Sequence, residues 1–179
     1  MDRVKKYTHV FATMGLLFGA LALLPFCLKL GIWQGIRVTA VLTIAWTATA
    51  GPVLVLIDYF TTRNLPPDAI DVSQTREIQV VGDVDQVFQK CLNTLRALRS
   101  IKNVKPAGRR LFGRTKPSFS SFGEEITVSF EALDSKSTRI QIISAPVVKI
   151  TLLDYGKNYK NTVNIMDAIQ KVMQADELA

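Results

Sequence analysis

The sequence predicts an α+β protein: an N-terminal transmembrane hairpin of two helices, followed by a two-layer domain with an antiparallel sheet and two helices. Three observations carry this. Residues 7–28 and 38–57 contain no Asp, Glu, Lys or Arg, and each run is about as long as the roughly 20 helical residues that cross a bilayer's apolar core. Residues 84–98 place apolar side chains at helical spacing, the pattern of a helix lying on a core. Residues 76–80, 126–131 and 139–142 alternate apolar with polar, the pattern of half-buried strands.

The chain has 179 residues. About 100 remain after the hairpin, enough for one core and not two. The expected organisation is a hairpin over 1–60, a Pro-containing linker over 61–75, a folded module over 76–174 and a short tail over 175–179. An N-terminal signal peptide is the competing reading. Arg3, Lys5 and Lys6 resemble its basic start, and Ala20-Leu21-Ala22 resembles a cleavage site. The apolar run continues past that point through Phe26, which favours a retained anchor.

In the hairpin, Pro25 and Gly51-Pro52 are kink positions. Tyr7, Trp33 and Tyr59 suit the membrane–water boundary. Lys and Arg number five on the flanks of the hairpin and two, Lys29 and Arg37, in the connection. This bias places both termini in the cytoplasm, as in a bacterial inner-membrane protein. Gly15 and Gly19 form a GxxxG pair. Small side chains let helices approach in lipid, where apolar packing gives no hydrophobic gain. The pair serves contact between the two spans, self-association or another membrane protein. His9 and Asp58 are expected at the headgroup level.

The paired prolines Pro66 and Pro67 favour an extended spacer. A strand follows from Arg76. Asp83 then reads as a helix cap, with Gln86 three residues on. Val84, Val87, Phe88, Cys91, Leu92, Leu95 and Leu98 form the inward stripe of that helix. Strands at 126–131 and 139–142 flank a turn at Asp134–Ser137. Val147–Leu153 reads as one more strand. The last helix carries Val163, Met166, Ile169, Val172 and Met173 on its core side. The expected order is β-α-β-β-β-α. That order is similar to the helix-grip proteins, which curl a sheet around a long C-terminal helix and often hold apolar ligands. The resemblance is one of element order. It implies a lipid or apolar-ligand carrier with its cavity between the sheet and the C-terminal helix.

Arg99, Lys102, Lys105, Arg109, Arg110, Arg114 and Lys116 follow one another with no acid between them, and Phe112, Phe119 and Phe122 are interleaved. Cations contribute about 1 kcal/mol each near an anionic membrane surface, and aromatics insert at the interface. Arg109, Arg110, Arg114, Lys116 and Phe112 are therefore the candidate membrane or anion contacts. The competing reading is a solvated loop whose phenylalanines enter the core. From Thr61 onward 17 Lys and Arg face 13 acids. This is a modest excess, and with tethering it counts against nucleic acid as the partner. Gly156, Lys157 and Asn158 open the last helix, where free amides favour anions; no phosphate-loop glycine pattern accompanies them.

Signs of catalysis are lacking. The only histidine is His9, and the two cysteines, Cys27 and Cys91, form no metal or disulfide pattern. Glu124 and Glu125 are adjacent, so on a strand they face opposite ways and form no dyad. No metal or cofactor is expected. The leading expectation is a non-catalytic binding or accessory module at the cytoplasmic face, partnered by the bilayer, anionic lipids and another membrane protein or a second copy. The carrier is the alternative.

Overall fold

The computed structural model describes residues 3–118, 121–149, 151 and 153–177. The chain divides into two compact units, one ending at Ile70 and the other beginning at Asp71.

The first unit is a pair of long helices, α1 (Arg3–Leu30) and α2 (Ile32–Thr62). Both are long and apolar enough to cross a membrane. Leu, Ala and Met make α1 a good helix on intrinsic propensity. α2 is richer in Thr, Val and Ile, which have lower intrinsic helix propensity. Pro25 and Pro52 lie inside their helices. The connection is much tighter than the expected nine-residue loop. It is Gly31 alone, at φ 81°, a conformation open to glycine. Lys29 and Arg37 therefore sit on helix, and so does Trp33, which was expected in the loop.

Glycine sets the closeness of the two helices. At Gly35 an added Cβ would come within 2.5 Å of the Cys27 backbone, and at Gly51 it would collide with the Phe11 ring. At Gly15 and Gly19 it would lie 3.3 Å from the hydroxyls of Thr47 and Thr43. The GxxxG pair thus faces the second helix of its own hairpin. Thr39, Thr43 and Thr47 bury their hydroxyl oxygens without a hydrogen-bond partner.

Asp58 is buried against α1. Its carboxylate accepts from Lys6 Nζ at 3.1 and 3.3 Å and from the Tyr7 hydroxyl at 3.0 Å. The Lys6 and Asp58 side chains are each 1% exposed. The four-carbon stem of Lys6 carries its charge across to α2, so both ions leave solvent together. Arg3 adds a bond to the Thr62 carbonyl at 3.1 Å and lies over the Tyr59 ring. His9 points outward.

The second unit is a five-stranded antiparallel sheet with two helices. The strands are β1 (Gln74–Val81), β2 (Ile101–Ala107), β3 (Arg110–Thr115), β4 (Glu124–Ala132) and β5 (Ser137–Pro146), in the order β1-β5-β4-β3-β2. α3 (Val84–Ala97) packs on β2 and β4 and against α4 (Lys157–Glu177), which itself crosses β1 and β5. Both helices use the same sheet face: Ile126, Val128 and Phe130 of β4 and Ile140 and Ile142 of β5 meet Val87, Cys91 and Leu95 of α3 and Ile165, Ile169 and Met173 of α4. Each such side chain contributes about 1.5–3 kcal/mol by leaving water. Asp83 caps α3 by accepting the Asp85 amide at 2.9 Å.

Four expectations about this unit change. The basic stretch 99–116 is not a loop; it is the β2–β3 hairpin, two strands where the order β-α-β-β-β-α placed none. Residues 147–149, 151 and 153 form no strand, and Ile150 and Leu152 of that expected strand lie outside the described residues. The Val147 amide instead bonds the Gly123 carbonyl at 3.1 Å, and Thr151 turns back on Val148. β1 begins inside the expected linker, which also holds a 3-10 turn at Pro67–Ile70. α4 extends into the expected tail.

Candidate functional site

The helix-covered side of the sheet contains a connected set of buried polar groups under the start of α4. It begins at Asp154, just before the helix. Its carboxylate accepts the amides of Gly156 at 3.2 Å and Asn158 at 3.0 Å, and the Asn158 side-chain amide at 3.1 Å. Asn158 also donates to the Val72 carbonyl at 2.7 Å and accepts from the Ser144 hydroxyl at 2.6 Å. Asn161, one turn along, reaches Ser144 and Glu124 at 3.3 Å each. Glu124 receives the hydroxyls of Thr115 and Ser121 as well. Its residue is 1% exposed, and Asn158 and Ser144 are fully buried.

This arrangement corrects the reading of Gly156, Lys157 and Asn158 as an anion site. Asp154 already supplies an anion to those amides, and Asn158 points into the protein as the junction of β5, α4 and the chain entering β1. Glu124 and Glu125 do face opposite ways: Glu124 is interior and Glu125 is exposed. What went unread was the use made of Glu124. Its partners are spread over β3, the β3–β4 connection and α4. The spacing Asp154-x-Gly156-x-Asn158-x-x-Asn161, three polar side chains within two turns at a helix start, was the available signal.

Beside Asn161 lies a cavity of about 40 Å³, between the end of α3, β2, β4 and α4. Leu98, Ile101, Ile126 and Ile165 give it apolar walls, and Asn161 and Asn164 give it polar ones. Burial pushes the thiol of Cys91, in the core under α3, up to about 12, so it stays protonated at neutral pH.

The opposite sheet face carries the basic residues. β3 alternates Leu111, Gly113 and Thr115 inward with Arg110, Phe112 and Arg114 outward. Lys102 pairs with Arg114 and Lys105 with Phe112 across the β2–β3 ladder, on either side of a bulge in which Asn103 adopts φ 55°. Lys102, Lys105, Arg110, Phe112 and Arg114 thus share one face. Gly113 lets the edge strand close, since a Cβ there would meet Ile101 Cγ2 at 2.6 Å. Arg109 sits in the two-residue turn with Gly108 (φ 57°), and Lys116 follows the end of β3; both are exposed. An open groove of about 660 Å³ is lined by Asn103, Lys105, Phe112, Arg114, Glu125 and Thr127, among others. Arg114 binds Glu125 at 2.5 Å. Phe112 is 41% exposed and Phe122 75%, so neither is a core residue; Phe119 lies outside the described residues.

The chain matches no protein-family model and no curated protein. Among solved structures it is similar to a START superfamily protein from Mycobacterium smegmatis, at 12% identity and TM-score 0.44 over 57% of this chain and 97% of that one. It is similar to a conserved protein from Geobacillus kaustophilus, at 9% identity and TM-score 0.35 over 58% of this chain and 93% of that one. It is also similar to the di-domain ARO/CYC StfQ from the steffimycin biosynthetic pathway, at 8% identity and TM-score 0.33 over 75% of this chain and 62% of that one.

Proposed function

We propose that this protein is a membrane-tethered, non-catalytic binding module that takes a small amphipathic ligand between its sheet and α4. This is the carrier alternative raised from the element order. The observation that carries it is the juxtaposition under α4. A small cavity with apolar walls at Leu98, Ile101, Ile126 and Ile165 and polar ones at Ser100, Asn161 and Asn164 joins a polar cluster through Asn161, which reaches Glu124. Small-molecule sites combine mostly apolar walls with a few placed polar groups in this way. At about 40 Å³ the cavity has room for little more than a water. Ligand entry therefore requires α4 to move away from α3 and β2, with the apolar body of the ligand taking the place of core contacts and its polar end meeting Asn161.

Nothing about the cluster favours chemistry. Ser121 and Thr115 donate to Glu124 together with Asn161, which satisfies a buried carboxylate. In this reading both helices of the hairpin cross the bilayer with their free ends in the cytoplasm, following the Lys and Arg bias. Alkaline carbonate is expected to leave the full chain in the membrane pellet; release into the supernatant would remove the tether from the proposal.

The binding test is native mass spectrometry of the full chain released from detergent. A co-purifying adduct of lipid-like mass is the expected result. Ile165→Trp, which fills the cavity, is expected to lower adduct occupancy at least tenfold while the far-ultraviolet spectrum is retained. A chain that carries no adduct after incubation with a membrane lipid extract would refute the carrier.

A further inference from the structure

We propose that the helix-free face of β2 and β3 docks on an anionic bilayer surface, with Lys102, Lys105, Arg110 and Arg114 as the headgroup contacts and Phe112 as the apolar contact. This stands independently of the internal ligand, because it uses the other side of the sheet. Three observations meet here. The first is charge. The four cations project from two neighbouring strands, Arg109 extends the row at the turn, and Glu125, the carboxylate lining the groove, is engaged by Arg114. Among the described residues Lys102, Lys105 and Arg110 have no carboxylate partner. The second is the exposed ring of Phe112, set between Arg110 and Arg114 on the same face. An aromatic amid cations is costly in water and suited to an interface. The third is reach. Fully extended, residues 63–73 span roughly 40 Å, so the module stays close to whatever surface holds the hairpin.

Lysines on an edge strand have another use, which is to block pairing with a second sheet. The Asn103 bulge and Pro106 already do this for β2. The outward cations of β3 need another explanation, since that strand is paired on both sides. The surface it meets is the phosphate-rich face of an anionic membrane, not a soluble polyanion.

The test uses the full chain in nanodiscs. Ser129, on the same outer face and paired with Arg110, is replaced by Cys and labelled with an environment-sensitive dye in a Cys27→Ser background. Cys91 is buried and protonated and does not compete for the label. Quenching by headgroup-labelled lipid is expected to be stronger in phosphatidylglycerol than in phosphatidylcholine discs and to fade with salt. The variant Lys102→Glu/Lys105→Glu keeps charges on the edge strand, so the edge stays guarded. Each lost cation is expected to lower the docked-to-free ratio about fivefold, so the pair lowers it at least about 25-fold. Equal quenching in both lipids, or quenching unchanged in the variant, would overturn the proposal. So would an added oligonucleotide that protects the label where phosphatidylglycerol does not, which would assign the face to nucleic acid.

Discussion

Asp58→Asn is expected to destabilise the helical hairpin by about 3–5 kcal/mol, and Lys6→Met by a similar amount. Each change leaves one buried group without the partner that made its burial tolerable. The double variant Lys6→Met/Asp58→Leu is expected to recover most of the loss, because an apolar pair needs no compensation. Tyr7→Phe should cost less, about 1.5–3 kcal/mol, since it removes one hydrogen bond to a charged group. The measurement is unfolding of the full chain by sodium dodecyl sulfate. Its two tryptophans, Trp33 and Trp46, both lie in α2, and Trp46 stacks on Phe18 of α1 with ring centres 5.3 Å apart. Tryptophan emission, excited at a wavelength that spares Tyr155 and Tyr159 of the module, therefore reports hairpin opening. Losses that simply add in the double variant would show that Lys6 and Asp58 do not act as a pair.

Asn158→Ala is expected to be the most damaging single change in the module. It removes the partner of the Ser144 hydroxyl, the Val72 carbonyl and the side-chain amide bond to Asp154. Leaving a buried polar group unsatisfied costs about 1–3 kcal/mol, so two such losses, at Ser144 and Val72, amount to roughly 2–6 kcal/mol. That is a large share of the 5–15 kcal/mol that holds a typical domain. Hydrogen exchange of the β5 and α4 amides in the full chain is the readout, and the β5–β1 ladder should lose protection first. Asn158→Asp is a useful contrast. It keeps the size but removes the donor to Val72 and sets a second carboxylate beside Asp154, so it should do no better than alanine. Unchanged exchange in Asn158→Ala would mean that the network is an ornament on an already stable junction.

The periodic elements were legible in the residues. Helix α3 announced itself through Val84, Val87, Cys91 and Leu95, because one face meets the core and the other meets water. β4 and the first residues of β5 alternated for the same reason. β2 and β3 were harder. Pro106 and Gly108 resemble loop residues, Gly113 weakens the strand pattern where the neighbouring strand must come close, and the cations on the free face hide the inward alternation of Leu111, Gly113 and Thr115. Val147–Leu153 misled in the opposite sense, since an apolar run does not say whether its backbone pairs with anything.

The candidate sites divide in the same way. Arg110, Phe112 and Arg114 stood out as charge and aromatic content. Their placement on one face with Lys102 and Lys105 depends on the hairpin register, including the bulge at Asn103. Glu124, Asn158 and Asn161 carried no signal strong enough to join them, because their partners are scattered along the chain at Val72, Thr115, Ser121, Ser144 and Asp154.

Composition and local order thus determined that two apolar helices precede an α+β module, and which residues are charged. Both follow from solvent preference and repeat period, which act over neighbouring positions. Only the tertiary structure decided that Asp58 lies against Lys6 and that Asn158 ties α4 to β5 and Val72. It also set Glu124 in the interior network and Glu125 on the open face. Those outcomes depend on contacts between residues distant in sequence, where geometry and the cost of an unpaired buried group select the partner.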